Sequence, residues 1–170
     1  EIEKMKRNIW LELNNYLTPL EQANVITSIV YNYYNLKGIE IAYTNPDDFF
    51  LHKVIHAKKG NTLSNSILYL VLSELLGIPV KAISIPQQFI LAFFKEDYSA
   101  VDCPDNPLHK INFFIDATSG QFFSHNDIAN YFKRISVNPV ASYFRPLSHK
   151  KIIQFLLKEL SKCFDQPLTM

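Results

Sequence analysis

The chain has 170 residues, 48% of them apolar and 14% aromatic, with 17 basic against 16 acidic side chains for a net charge of +1. That length is enough for one domain with its own core, and that composition excludes a disordered chain. The near-neutral balance gives no electrostatic footprint for nucleic acid or an acidic partner, and no apolar run of about 18 residues is present to span a membrane.

In chain order, Ile2, Met5, Ile9, Trp10 and Leu13 predict an amino-terminal helix. Thr18, Pro19 and Glu21 then spell a capping box with proline at the first helical position. Leu20, Ala23, Ile26, Ile29, Val30 and Tyr33 follow on one face, and Gly38 is the expected stop. Asn45, Pro46 and Asp48 repeat the device ahead of the helix in FFLHKVIHAKKG. Within it His52 and His56 have the spacing of a zinc helix. Lys53 stands where such helices carry a glutamate and no third ligand is marked, so no metal is expected.

Asn61 or Thr62 can cap the next helix, in which Ile67, Leu68, Leu70, Val71, Leu72, Leu75 and Leu76 run with almost no polar break. A helix apolar on most sides is a buried central helix, and Gly77 followed by Pro79 supplies its end. Its partly positive amino end points Thr62 at whatever cleft the following segments make.

Residues 80–85, 89–94 and 111–115 are rich in branched and aromatic side chains and read as strands. Pro86 and Gln87 make a tight connection, so Gln88 begins the second strand and Asp116 ends a later one. Phe93 and Phe94, Phe113 and Phe114, and Phe122 and Phe123 are adjacent pairs. Neighbours in a strand face opposite sides, so both faces of the sheet must be covered, by helices on the simplest reading. Ser124 and Asp127 open a short helix with Ile128, Tyr131 and Phe132 inward. Residues 148–164 form the last helix, with Ile152, Ile153, Leu156, Leu157, Leu160 and Cys163 as its apolar stripe. The basic patches at 57–59 and 149–151 read as solvated helix ends. The fold class is α+β: a buried central helix against a small antiparallel sheet, with further helices at both ends.

The succession Lys59, Gly60, Asn61, Thr62, Ser64, Leu68, Tyr69, Leu70, then Leu76, Gly77, Pro79, then Pro86 and Phe89, then Ile115, Asp116 and Gly120 resembles the transglutaminase-like superfamily of the papain-like cysteine protease fold. It is most similar to the SirB-type branch, and the likeness runs over residues 29–123. The resemblance implies a transglutaminase-like domain over 1–146, with a helical part at 1–59 and the motif helix and sheet at 60–123. A helix at 147–170 then looks like the start of a helical repeat region, although folding back on its own domain is an equal alternative.

By the same resemblance the nucleophilic cysteine position falls on Thr62 and the general-base histidine position on Gln88; Asp116 alone keeps the family's residue. A threonine hydroxyl needs a strong neighbouring base, and a carboxamide takes no proton near neutral pH. The triad positions are therefore vestigial, and Asn61, Ser64, Ser66 and Tyr69 are the candidates for lining the cleft. Serines near a helix start more often cap or bond back to the backbone than attack a carbonyl. Cys103, in a polar loop, and Cys163, in the last helix, belong to no motif.

The expected function is a non-catalytic scaffold or protein-interaction module, using the old cleft or the last helix as its contact surface. The alternative is a cysteine- or serine-type amide hydrolase or acyl transferase with Ser64 or a cysteine as nucleophile. No cofactor is expected; partners are a protein or an adjacent helical repeat domain, or a second copy through the last helix. Two cysteines with no disulfide framework point to a reducing, cytoplasmic compartment, while a first residue of Glu1 suggests an excised or processed form and leaves a removed signal peptide open.

Overall fold

The computed structural model describes residues 1–99 and 106–165. Helix α1 (Ile2–Glu12) turns Met5 and Ile9 into the core and leaves Trp10 outside, as an amphipathic segment does. Helix α2 (Pro19–Thr27) opens with the capping box its spelling requires. The Glu21 amide donates to the Thr18 hydroxyl at 3.3 Å, and the Thr18 amide donates to the Glu21 carboxylate at 2.7 Å.

This helix does not run on to Gly38. Ser28–Tyr33 widen into a π turn, where the Tyr34 amide donates to the Ile29 carbonyl at 2.9 Å, and Asn35 at φ 61° follows it. The extra residue in the turn rotates the face, so Tyr31 is buried and Tyr33 is 71% exposed, where an unbroken 3.6-residue period puts Tyr33 inside. Gly38 belongs instead to β1 (Lys37–Gly38), which pairs in parallel with β2 (Lys59–Gly60). Asn45 caps a short 3-10 turn, Pro46–Phe49, rather than the next helix. Phe50 is extended, so α3 (Leu51–Ala57) starts afresh behind it.

Helix α4 (Thr62–Leu75) is central, and Asn61 is its cap. Leu68 and Leu72 are fully buried, each contributing about 1.5–3 kcal/mol of transfer free energy. Ile67, Leu70 and Val71 are only half-buried, so one flank of the helix stays open. Gly77 at φ 70° ends it, with the Ile78 amide donating to the Ser73 carbonyl at 2.8 Å.

Four antiparallel strands follow in spatial order, β3 (Val80–Ile85), β4 (Gln88–Phe94), β5 (Ile111–Asp116) and β6 (Gln121–Phe123). Each phenylalanine pair splits between the two faces. Phe93, Phe113 and Phe122 join the large core beneath the first four helices, while Phe94, Phe114 and Phe123 join a second cluster. That second cluster is closed by Ile128 and Phe132 of α5 (His125–Arg134) and by Phe144. Helices and turns of the chain itself therefore cover both faces, which makes this an α+β fold.

Helix α6 (His149–Ser161) folds back on the domain. Ile152 is buried, the Phe155 ring meets Phe89 edge-on at 5.7 Å, and the Tyr43 hydroxyl donates to Glu159 at 2.6 Å. The expected stripe divides: Ile153 and Leu157 are 48% and 56% exposed, and Phe155, outside that stripe, takes a packing place. Its basic start, Lys150 and Lys151, faces solvent at the helix end where positive charge is least favoured. No helix among the described residues is long and apolar enough to cross a membrane.

Candidate functional site

Parallel pairing of β1 with β2 fixes the chain just ahead of α4, so the amino end of that helix is held from both sides. The Lys37 amide donates to the Lys58 carbonyl at 2.9 Å and the Ile39 amide to the Gly60 carbonyl at 3.0 Å. Asn61 then turns its side chain onto the helix start, where Oδ1 accepts from the amides of Leu63 at 3.0 Å and Ser64 at 2.9 Å. Ser64 returns the bond, its Oγ accepting from the Asn61 amide at 3.0 Å. Ser66 Oγ donates to the Thr62 carbonyl at 2.6 Å. Both serines are buried and engaged with backbone.

The hydroxyl of Thr62 meets another hydroxyl. Thr62 Oγ1 and Thr118 Oγ1 are 2.6 Å apart, joining α4 to the turn between β5 and β6. Thr118 is the hub of this corner. Its amide donates to Asp116 Oδ1 at 2.9 Å in a local Asx turn, and its carbonyl accepts from Asn65 Nδ2 at 3.4 Å. Asn65 Nδ2 also donates to the Gly60 carbonyl at 3.1 Å. The neighbouring carbonyl, of Ala117, accepts from the Tyr31 hydroxyl.

Burial pushes the Tyr31 phenol well above its ordinary pKa, and the neighbouring Tyr69 and Asp116 push it further, so Tyr31 stays a neutral donor. Tyr69 lies wholly in the core rather than along an open cleft. Its hydroxyl donates to the Ala23 carbonyl at 3.2 Å and lies 3.3 Å from Thr27 Oγ1, and burial raises its pKa strongly. Asn61 is equally buried.

Gln88 opens β4 opposite Ile85. Its side chain is exposed and hydrogen-bonds neither Thr62 nor Asp116. The site therefore brings Thr62 and Asp116 to the two sides of Thr118 and leaves Gln88 outside that network. Sequence reasoning missed Thr118, Asn65 and Tyr31. A polar residue inside an otherwise apolar helix was a faint signal for Asn65, and nothing in the turn ATSG marks Thr118.

Among the described residues, no hydroxyl at this corner is bonded to a side chain that takes a proton near neutral pH, and the Asp116 carboxylate accepts a backbone amide. Cys163 lies beyond the end of α6, where desolvation first and then Asp48 raise its thiol pKa and disfavour the thiolate. Cys103 lies outside the described residues. His52 and His56 are exposed on α3, and among the described residues no group of three or more His, Cys, Asp or Glu side chains is placed to hold a metal ion.

The family model described as transglutaminase-like superfamily matches residues 1–158, from α1 well into α6. The chain belongs to the transglutaminase-like superfamily. It is similar to F-box only protein 21 of Mus musculus, 29% identical over 68 residues that make up 40% of this chain and 11% of that protein. F-box only protein 21 of Homo sapiens is 30% identical over 63 residues, 37% of this chain and 10% of that protein. The chain thus spans about a tenth of the length of the curated relatives it matches. No solved structure matches it. The matched residues include the central helix α4 and the whole of the sheet β3 to β6.

Proposed function

We propose that this chain is a non-catalytic transglutaminase-like domain of the SirB type, with a papain-like core kept as a scaffold for protein interaction. The observation that carries the reading is that Thr62, at the position the resemblance gives to the nucleophile, is closed onto the Thr118 hydroxyl at 2.6 Å, while Gln88, at the position of the base, is exposed and outside that network. A thiolate and imidazole at positions 62 and 88 would form an ion pair poised for attack; here the Thr62 hydroxyl is satisfied by another neutral hydroxyl and position 88 offers no base. Losing nucleophile and base together removes several orders of magnitude in rate. Partners in this reading are a protein or an adjacent helical repeat domain, in the cytoplasm.

The competing reading, an amide hydrolase or acyl transferase, gains nothing from Ser64, which is committed to the Asn61 capping box. The test is turnover of a fluorescent glutamine peptide, with and without an amine acceptor. The purified chain is expected to match buffer alone. Turnover that disappears in Asp116→Ala would overturn the non-catalytic reading.

A further inference from the structure

Between the open flank of α4, the outer edge of β3 and the start of α6 lies a groove of about 800 Å³. Its walls are apolar: Ile67, Leu70 and Val71 of α4 face Leu147, Ile152 and Ile153. Its charged rim is unbalanced. Among the described residues Glu74 is the sole carboxylate lining it and is already 3.3 Å from His149, while Lys81 and Arg145 form no ion pair.

The apolar surface continues past the groove along α6, where Ile153 and Leu157 are 48% and 56% exposed. Lys150, Ile153 and Leu157 follow one another at three- and four-residue spacing, so a cation flanks this stripe as well. Two helices with half-open apolar flanks and a basic border make a bed for a third helix, read by its apolar anchors at i, i+3 or i+4, and i+7.

We infer that this groove docks an amphipathic helix of a partner protein whose polar flank is acidic. An extended strand fits less well, because the β3 edge is blocked where the Leu147 amide donates to the Ala82 carbonyl at 2.8 Å. A second copy fits less well, because its exposed α6 stripe would bring Lys150 and Lys158 onto Lys81 and Arg145. A compact small molecule would leave the stripe of Ile153 and Leu157 bare. The inference deepens the interaction-module reading and rests on it.

The probe is a fluorescein-labelled synthetic peptide of roughly 18 residues, about five helical turns, with leucine at the i, i+4, i+7 and i+11 positions and glutamate on the flanks. One control replaces each glutamate by lysine, and a second scrambles the order at fixed composition. With the whole chain, the acidic amphipathic peptide is expected to bind at least about tenfold more tightly than either control, a difference of about 1.4 kcal/mol. Its affinity is expected to fall by a similar factor in Lys81→Glu with Arg145→Glu, and separately in Ile153→Asp, all at exposed positions whose folding is checked by circular dichroism. Amide shift changes on binding should cluster on α4 and α6.

Equal binding of the controls, no binding, or shifts clustered elsewhere would overturn the inference. So would concentration-dependent self-association abolished by Ile153→Asp, which would give the groove to a second copy. A null peptide result leaves the glutamine-turnover test standing, and turnover with intact peptide binding sinks the non-catalytic reading alone.

Discussion

A β-carbon on Gly38 would sit 2.2 Å from the carbonyl oxygen of Thr118, so β1 and the turn after β5 touch backbone to backbone. The same closeness recurs at Gly60, where a β-carbon would lie 2.2 Å from Asn65 Oδ1 and 2.7 Å from Val54 Cγ1. Both glycines are packing spacers around the amino end of α4.

Gly38→Ala and Gly60→Ala are therefore each expected to cost about 1–3 kcal/mol in urea unfolding, through overpacking. Gly77→Ala is the comparison. Nothing lies within 4 Å of its added methyl, and its cost comes only from φ 70°, on the order of 1 kcal/mol. A cost at Gly38 no larger than at Gly77 would show that the contact with Thr118 is not made.

The Thr62 and Thr118 hydroxyls should be energetically coupled. Thr62→Val and Thr118→Val each strand one hydroxyl and are expected to destabilise by about 0.5–1.5 kcal/mol. The double variant strands neither, so the cycle should show about 0.5–1 kcal/mol of coupling. Strict additivity would remove the hydrogen bond on which the functional reading rests.

Gln87 occupies the left-handed region at φ 65° in the two-residue link between β3 and β4. A side chain there costs about 1–2 kcal/mol, and glycine gives back about 0.5–1 kcal/mol in unfolded-chain entropy. Gln87→Gly is expected to stabilise the domain by about 0.5–1 kcal/mol, read as a higher urea midpoint at unchanged slope. A lower midpoint would mean that the Gln87 side chain makes a favourable contact outweighing its backbone strain.

The anchor of α6 is expected to be pH-sensitive at both extremes. Partial burial pushes the Glu159 carboxyl up, but the Tyr43 hydrogen bond and then Lys162 outweigh it and hold the pKa below its ordinary value. Its contribution is complete above the unfolded value of about 4.3 and lost as pH falls through the folded one. Tyr43 is raised, first by its hydrogen bond to Glu159 and then by desolvation. Its share is complete below about pH 10 and lost as pH rises through its folded value. Melting temperatures of the wild type and Glu159→Gln should differ by a constant amount from about pH 6 to 9 and converge below about pH 4. A constant difference down to acid pH would show that the carboxylate is not what holds α6.

Much of the architecture was legible because its causes are local. Thr18, Ser124 and Asn61 cap their helices through residues three positions ahead, and Gly77 with Pro79 stops the central helix within one turn. Adjacent phenylalanines announced a sheet covered on both faces, since strand geometry alone sends neighbours apart. The π turn at Ser28–Tyr33 left no such mark, and Gly38 read as a helix stop when its lack of a side chain serves Thr118, eighty residues away.

The sequence by itself determined that positions 62 and 88 carry a hydroxyl and a carboxamide, because residue identity fixes which groups can give or take a proton. Only the tertiary structure decided what each of them meets. It closed Thr62 onto Thr118, left Gln88 to solvent and opened a basic-rimmed groove beside α4. Those partners come together through the parallel pairing of β1 with β2, the turn after β5 and the fold-back of α6, and contacts between distant segments are set by packing rather than by spacing along the chain.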